Sequence, residues 1–237
     1  MSKNLALLKA FDVIDAVADG QRTLKSISDT TGIPKSTIHR ILNGLIESRY
    51  IREIDGIGMV LGTRMIQLGN LAQETMPLKD IAHPFLCKLA DDTKETVHLA
   101  IRDEDEVFYL DKISGHRAIQ LRSKIGDRLP MAITGVGKAL MLDLPKTEQL
   151  RLINKQLSKK QDKLFKRIEE YKKLGYAFDL EDNEDLVHCV AVPIRGKHQK
   201  IIAAISITSI KEYLPIERMQ TLVHVLLKCA SDIERLL

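Results

Sequence analysis

Three residues, Gly32-Ile33-Pro34, separate two short amphipathic segments and leave the chain room only to turn one helix directly into another. Thr23 is placed to cap the first of these, Leu24–Thr31, by accepting from a free N-terminal amide. Gly32 ends it in the left-handed conformation that only glycine adopts cheaply. Pro34 then opens the next helix, where a missing N–H costs nothing. That helix runs to about Glu47, with Ile38, Ile41, Leu42 and Leu45 on one face. Upstream, residues 5–18 place Leu7, Leu8, Phe11, Ile14, Val17 and Ala18 at helical spacing. Downstream, Tyr50–Ile54 alternates like a strand, Asp55–Gly58 reads as a turn, and Met59–Leu61 returns. Helix, helix, turn, helix and hairpin thus follow one another within the first 63 residues.

The helix after Pro34 carries Lys35, Ser36, His39, Arg40 and Asn43 opposite its apolar stripe, with Thr37 at the edge. These side chains supply donors and acceptors for phosphates and base edges. A helix entering the major groove reads mainly with its N-terminal residues, where Lys-Ser-Thr and His-Arg stand here. The hairpin would lie along the adjacent backbone as a wing, with Arg52 touching phosphate. Net charge says little, because the whole chain carries only +4. What matters is placement: Asp12, Asp15 and Asp19 fall on the first helix and leave the third basic.

Residues 64–75 look helical again and Pro77 marks a break, after which the texture changes. Strands are expected near 96–102, 106–113, 118–123, 187–194 and 201–208. Helices are expected at 81–92, 136–143, 146–157, 160–173 and 216–237. Such a region is α+β and long enough for its own core. Ser206 and Thr208 lie two apart on a strand and share a face, while Ile205 and Ile207 share the other. Cys189 and Ala191 share a face in the preceding strand. Thr134-Gly135-Val136 sits where a loop becomes a helix, so its amides can receive an anion, and glycine allows close approach.

Leu24–Leu42, and Pro34-Lys35-Ser36-Thr37-Ile38-His39-Arg40 within it, resembles the winged helix-turn-helix of the IclR family of bacterial transcription regulators. Lys94–Leu99, Gly126–Pro130, Thr134–Leu140, Gly175–Asp179, Cys189–Pro193 and Ala203–Thr208 extend the resemblance over most of the chain. It implies a two-domain α+β protein: a winged helix-turn-helix over 1–63, a linker helix over 64–76, and a GAF-like α/β effector-binding and oligomerisation domain over 77–237. It also implies a cavity lined by Leu121, Gly135, Val136, Asp179, Cys189, Ser206 and Thr208. Asp179 only accepts hydrogen bonds, so it suits a ligand hydroxyl, and a small hydroxy, keto or sugar acid is the expected effector. The family's habits imply a homodimer or homotetramer on a palindromic DNA operator; a repressor is expected, and activation stays open as the alternative. Ala132 and the Val187-His188 pair depart from the family pattern and leave the effector's identity open.

An enzyme is not expected. Gly137-Lys138 fails as a phosphate loop, since Ala132 and Ala139 stand where Gly and Ser or Thr are needed. His188 and Cys189 are adjacent on a strand and so point apart. His83, His98, His116, His198 and His224 read as structural or surface groups. No catalytic residue, metal site or cofactor is expected. The three cysteines are far apart and suit a reducing cytoplasm, and no apolar run approaches the length of a membrane span. A second reading stays open: a small-molecule sensor whose N-terminal part contacts proteins instead of DNA.

Overall fold

The computed structural model describes residues 4–75, 77–156 and 161–237. The chain divides into two units, Met1–Met76 and Pro77–Leu237.

The first unit holds α1 (Leu5–Ala18), α2 (Leu24–Thr31), α3 (Lys35–Glu47), the hairpin β1 (Ile51–Ile54) and β2 (Gly58–Leu61), and α4 (Thr63–Glu74). Thr23 accepts from the Ser26 amide, Ser26 reciprocates, and Gly32 is left-handed at φ +70°. A capping box of this kind stabilises a short helix by about 1 kcal/mol. Val13, Val17, Ile27, Ile33, Ile38, Leu42 and Ile51 close the core. Arg22 fixes the wing to this core: its guanidinium donates to the Val17 and Met59 carbonyls, and its own carbonyl accepts from the Met59 amide. The burial on α1 differs from the expected stripe. Val13, Ile14, Ala16 and Val17 face the core, while Leu7, Leu8 and Phe11 stand exposed and Ala18 is also solvent-facing. Lys9 and Ala10 are half-buried instead, so the side of α1 that the unit covers is turned away from Leu7, Leu8 and Phe11.

The second unit is a six-stranded antiparallel sheet in the order β5-β4-β3-β8-β7-β6. Its strands are β3 (Thr96–Asp103), β4 (Glu106–Ile113), β5 (Arg128–Pro130), β6 (Ala177–Leu180), β7 (Val187–Arg195) and β8 (Ile201–Ile210). The helices are α5 (Leu78–Thr93), α6 (Gly135–Leu140), α7 (Lys146–Gln156), α8 (Gln161–Leu174) and α9 (Ile216–Glu234). Residues 157–160, where two expected helices meet, and Met76, at the end of the expected linker, lie outside the described residues. Alternation divides the sheet's two faces. Val97, Leu99, Val190, Val192, Ile205 and Ile207 are fully buried on one face, which α5 and α9 cover. Ser206, Thr208, Cys189 and His98 take the other, under α6.

Two strands were not expected. β5 and β6 are short and add to the sheet's two edges. The expected strand at 118–123 is absent. Arg128–Pro130 occupies the free edge of β4, so the segment has no ladder to join. The Lys112 ammonium binds it instead, donating to the Leu121 carbonyl at 2.8 Å and the Ser123 carbonyl at 2.5 Å. No helix among the described residues is long and apolar enough to cross a membrane.

Candidate functional site

In the first unit the α3 surface presents Lys35, Ser36, His39, Arg40 and Asn43 to solvent, with Thr37 half-buried at its edge. These positions recur at helical spacing, opposite the buried Ile38 and Leu42. Asn43 Nδ2 lies 3.5 Å from His39 Nδ1. Arg52 is exposed on β1, opposite Val60 of β2. Among the described residues Lys35, Arg40 and Arg52 enter no ion pair, and the ion pairs that do form lie in the second unit. The outcome is an open, cationic and polar surface with nothing to release before it meets an anion.

In the second unit, one face of the sheet, α6 and the 121–129 and 183–187 segments border a half-open cavity of about 330 Å³. Gly135, Val136, Ser206 and Thr208 line it, and so do Cys189, Asp179 and Leu121. Register explains the grouping. Asp179 pairs with Cys189, and Cys189 with Thr208; on the next row Ala191 pairs with Ser206, and Ser206 with His98. Ser206 and Thr208 hydroxyls are 3.3 Å apart.

Gly135 sits hard against this row. A Cβ there would come within 2.5 Å of Cys189 Sγ and 3.2 Å of its Cβ. Thr134 caps α6 by accepting from the Gly137 amide, and the amides of the first turn have no intrahelical acceptor.

The cavity's electrostatics follow from burial. His98 is pushed down to about 3 by desolvation and, secondarily, by the nearby Lys112 charge. It is therefore a neutral imidazole, with Nε2 2.8 Å from Ser123 Oγ and Nδ1 3.4 Å from Thr208 Oγ1. Burial raises the Tyr109 phenol, keeping it a donor. Burial, reinforced by Asp179, pushes the Cys189 thiol up to about 11. Burial also raises Asp179, against the pull of Lys138. Asp179 Oδ1 accepts from the Asp182 amide at 2.9 Å and lies 3.4 Å from Lys138 Nζ. Oδ2 has no partner among the described residues. Lys138 is wholly buried and bonds Asp182 Oδ2 at 2.6 Å, while Arg167 pairs with the same carboxylate. The lysine that suggested a phosphate loop is a strut under Asp179.

His98, read from the sequence as a structural or surface group, lines the cavity, and so do Tyr109, Ser123 and Asp127, which the sequence does not single out. For His98 a signal existed: it alternates with Val97 and Leu99 as Ser206 alternates with Ile205 and Ile207. Ser123 and Asp127 come from an irregular segment and gave none. His188 points away from the cavity and bonds the Leu214 carbonyl at 2.9 Å.

Comparison with known proteins gives the same division of labour. Residues 6–55 match the model of the IclR helix-turn-helix domain, and residues 71–235 that of the bacterial transcriptional regulator IclR C-terminal domain. The HTH-type transcriptional regulator RhmR of Escherichia coli is 30% identical, with 100% of this chain and 94% of that protein aligned. The E. coli transcriptional repressor IclR is 25% identical over 92% of this chain and 84% of its own length. Among solved structures, the Thermotoga maritima IclR is 26% identical with a TM-score of 0.79, covering 97% of both chains. An IclR homologue from Microbacterium hydrocarbonoxydans, complexed with 4-hydroxybenzoate, superposes with a TM-score of 0.86 at 22% identity over 97% of this chain and 98% of that one.

Proposed function

This chain belongs to the IclR family of bacterial transcription regulators, and on that premise we propose that it is a cytoplasmic repressor whose grip on its operator is set by a small organic acid in the sheet cavity. The observation that carries the reading is the cavity itself: half-open, apolar along Leu121, Leu129 and Val136, and lined from one sheet face by the polar groups Ser206, Thr208 and Cys189. A ligand carboxylate would take the first-turn amides of α6, at Gly135 and Val136. A ligand hydroxyl would donate to Asp179 Oδ2 or exchange bonds with Ser206 and Thr208. Leu121 would close over the apolar part. A hydroxy, keto or sugar acid fits these partners, and 4-hydroxybenzoate, bound by the Microbacterium homologue, is itself a small carboxylate.

On the DNA side, α3 enters the major groove with Lys35, Ser36, Thr37, His39, Arg40 and Asn43, and Arg52 on the wing meets phosphate. Two copies related by a twofold axis would read a palindrome. The exposed Leu7, Leu8 and Phe11 of α1 support self-association, since a monomer leaves them in water. The working division is a reader over 1–63, a connecting helix over 64–76 and a sensor over 77–237. The connecting helix passes the ligand's differential affinity from sensor to reader.

An electrophoretic shift with DNA from upstream of the protein's own gene tests the first half of this reading. A specific, salt-sensitive complex supports it, and no complex beyond non-specific binding would favour a sensor that acts through protein contacts. A thermal-shift screen of small hydroxy and keto acids tests the second half, because a ligand that binds the folded state raises the melting temperature.

A further inference from the structure

On the face of the sheet away from the cavity, α5 presents a second constellation. His83 and Cys87 lie one helical turn apart and meet, with Cys87 Sγ 3.5 Å from His83 Nε2. The other ring nitrogen, Nδ1, is 2.6 Å from Asp111 Oδ2 of β4. Asp111 is buried, pairs with Leu99 in register, and turns its second oxygen to the Lys112 amide at 2.9 Å. A carboxylate only accepts, so the proton in the short bond sits on Nδ1, and in the neutral imidazole Nε2 then turns its lone pair toward the thiol. Thiol, imidazole and carboxylate thus stand in the order that activates a nucleophile: base against the sulfur, and a buried acceptor orienting the base. The transcriptional role uses none of these three residues.

We propose that Cys87 is a base-activated thiol and a site of covalent modification by soft electrophiles of the α,β-unsaturated carbonyl class, with His83 as the base and Asp111 as its positioning residue. In the step, the thiol proton passes to His83 Nε2. The sulfur lone pair forms a C–S bond to the β carbon of the alkene. The π pair moves to the α carbon, which takes the proton back from the imidazolium. No oxidant or reductant is needed. Nothing resembling an oxyanion hole surrounds the sulfur, because it projects from the middle of a helix whose amides are committed, so acyl transfer is not part of the proposal. The three cysteines divide by environment. Cys189 and Cys229 are buried and pushed up to about 11 by desolvation, whereas Cys87 is only half-buried. They serve as internal controls.

The test treats the full-length protein with limiting N-ethylmaleimide at neutral pH and follows each cysteine by peptide mass spectrometry. Cys87 is expected to be labelled first, and faster than glutathione under the same conditions. His83→Gln, at a half-exposed position, should slow that labelling roughly tenfold while the melting temperature holds. Equal Cys87 rates in the wild type and His83→Gln would overturn the proposal. So would a wild-type Cys87 no faster than glutathione, a readout that needs no variant.

Discussion

On α3, Lys35, Ser36, His39 and Arg40 stand in solvent without an ion pair among the described residues, whereas His98, Ser206 and Thr208 in the sheet cavity are more than nine-tenths buried and bonded to one another. A surface that must meet a polyanion gains from keeping its cations free. A cavity that must hold a small ligand gains from polar groups fixed before the ligand arrives. The difference fixes where a substitution is felt. On α3 the loss falls on binding and leaves folding alone; in the cavity the same groups also hold the unit together, so folding and binding suffer together.

The largest effect that would break this contrast is at Lys138. Replacing it with Met removes the cation under Asp179 and leaves a buried carboxylate without its counter-charge. We expect the second unit to lose about 3 kcal/mol in denaturant unfolding, since half a buried pair costs more than none. Gly135→Ala comes next. Its methyl group must displace the Cys189 sulfur, and overpacking of this kind costs about 1–3 kcal/mol and narrows the cavity; retained stability together with full acid response would show the site to be looser than drawn.

His98 gives a pH signature. Its folded value, about 3, lies below the ordinary 6.5, so the unfolded chain takes up a proton that the folded unit refuses. The sign follows: its contribution is complete above about pH 6.5 and is lost as pH falls toward 3, with a slope on the order of 1 kcal/mol per pH unit. His98→Gln should flatten the acid limb of the stability curve relative to wild type. Arg40→Ala and Lys35→Ala sit at the small end for stability, within about 0.5 kcal/mol. Each should nevertheless weaken operator binding and lower its salt slope by about one unit. Unchanged slopes in both variants would remove α3 as the DNA-facing surface.

Much of this is legible in the sequence. Gly32-Ile33-Pro34 and the caps around it dictated the helix-turn-helix locally, and period-2 alternation in 201–208 put Ser206 and Thr208 on one face. What the sequence hid depends on partners far along the chain. Residues 118–123 alternate like a strand, yet β5 claims the only free edge beside them. On α1 apolar residues stand on more than one side, and helical spacing does not say which side the unit covers: Val13, Ala16 and Val17 are buried and Leu7, Leu8 and Phe11 are not. His83 and Cys87 are a visible i, i+4 pair, but Asp111 reaches them from a strand 28 positions away. Gly137-Lys138 fails as a phosphate loop on the sequence alone, but the buried strut that Lys138 forms is hidden there, because β6, which brings Asp179 to it, is not foreseen.

The central claim is that two separable sites are coupled. It is tested most directly by measuring operator affinity, with and without the acid found by the stability screen, for the wild type and for Ser206→Leu. The account predicts that the acid shifts wild-type affinity, and that Ser206→Leu keeps acid-free affinity while losing the shift. A Ser206→Leu protein that loses DNA binding but still takes up the acid would contradict it.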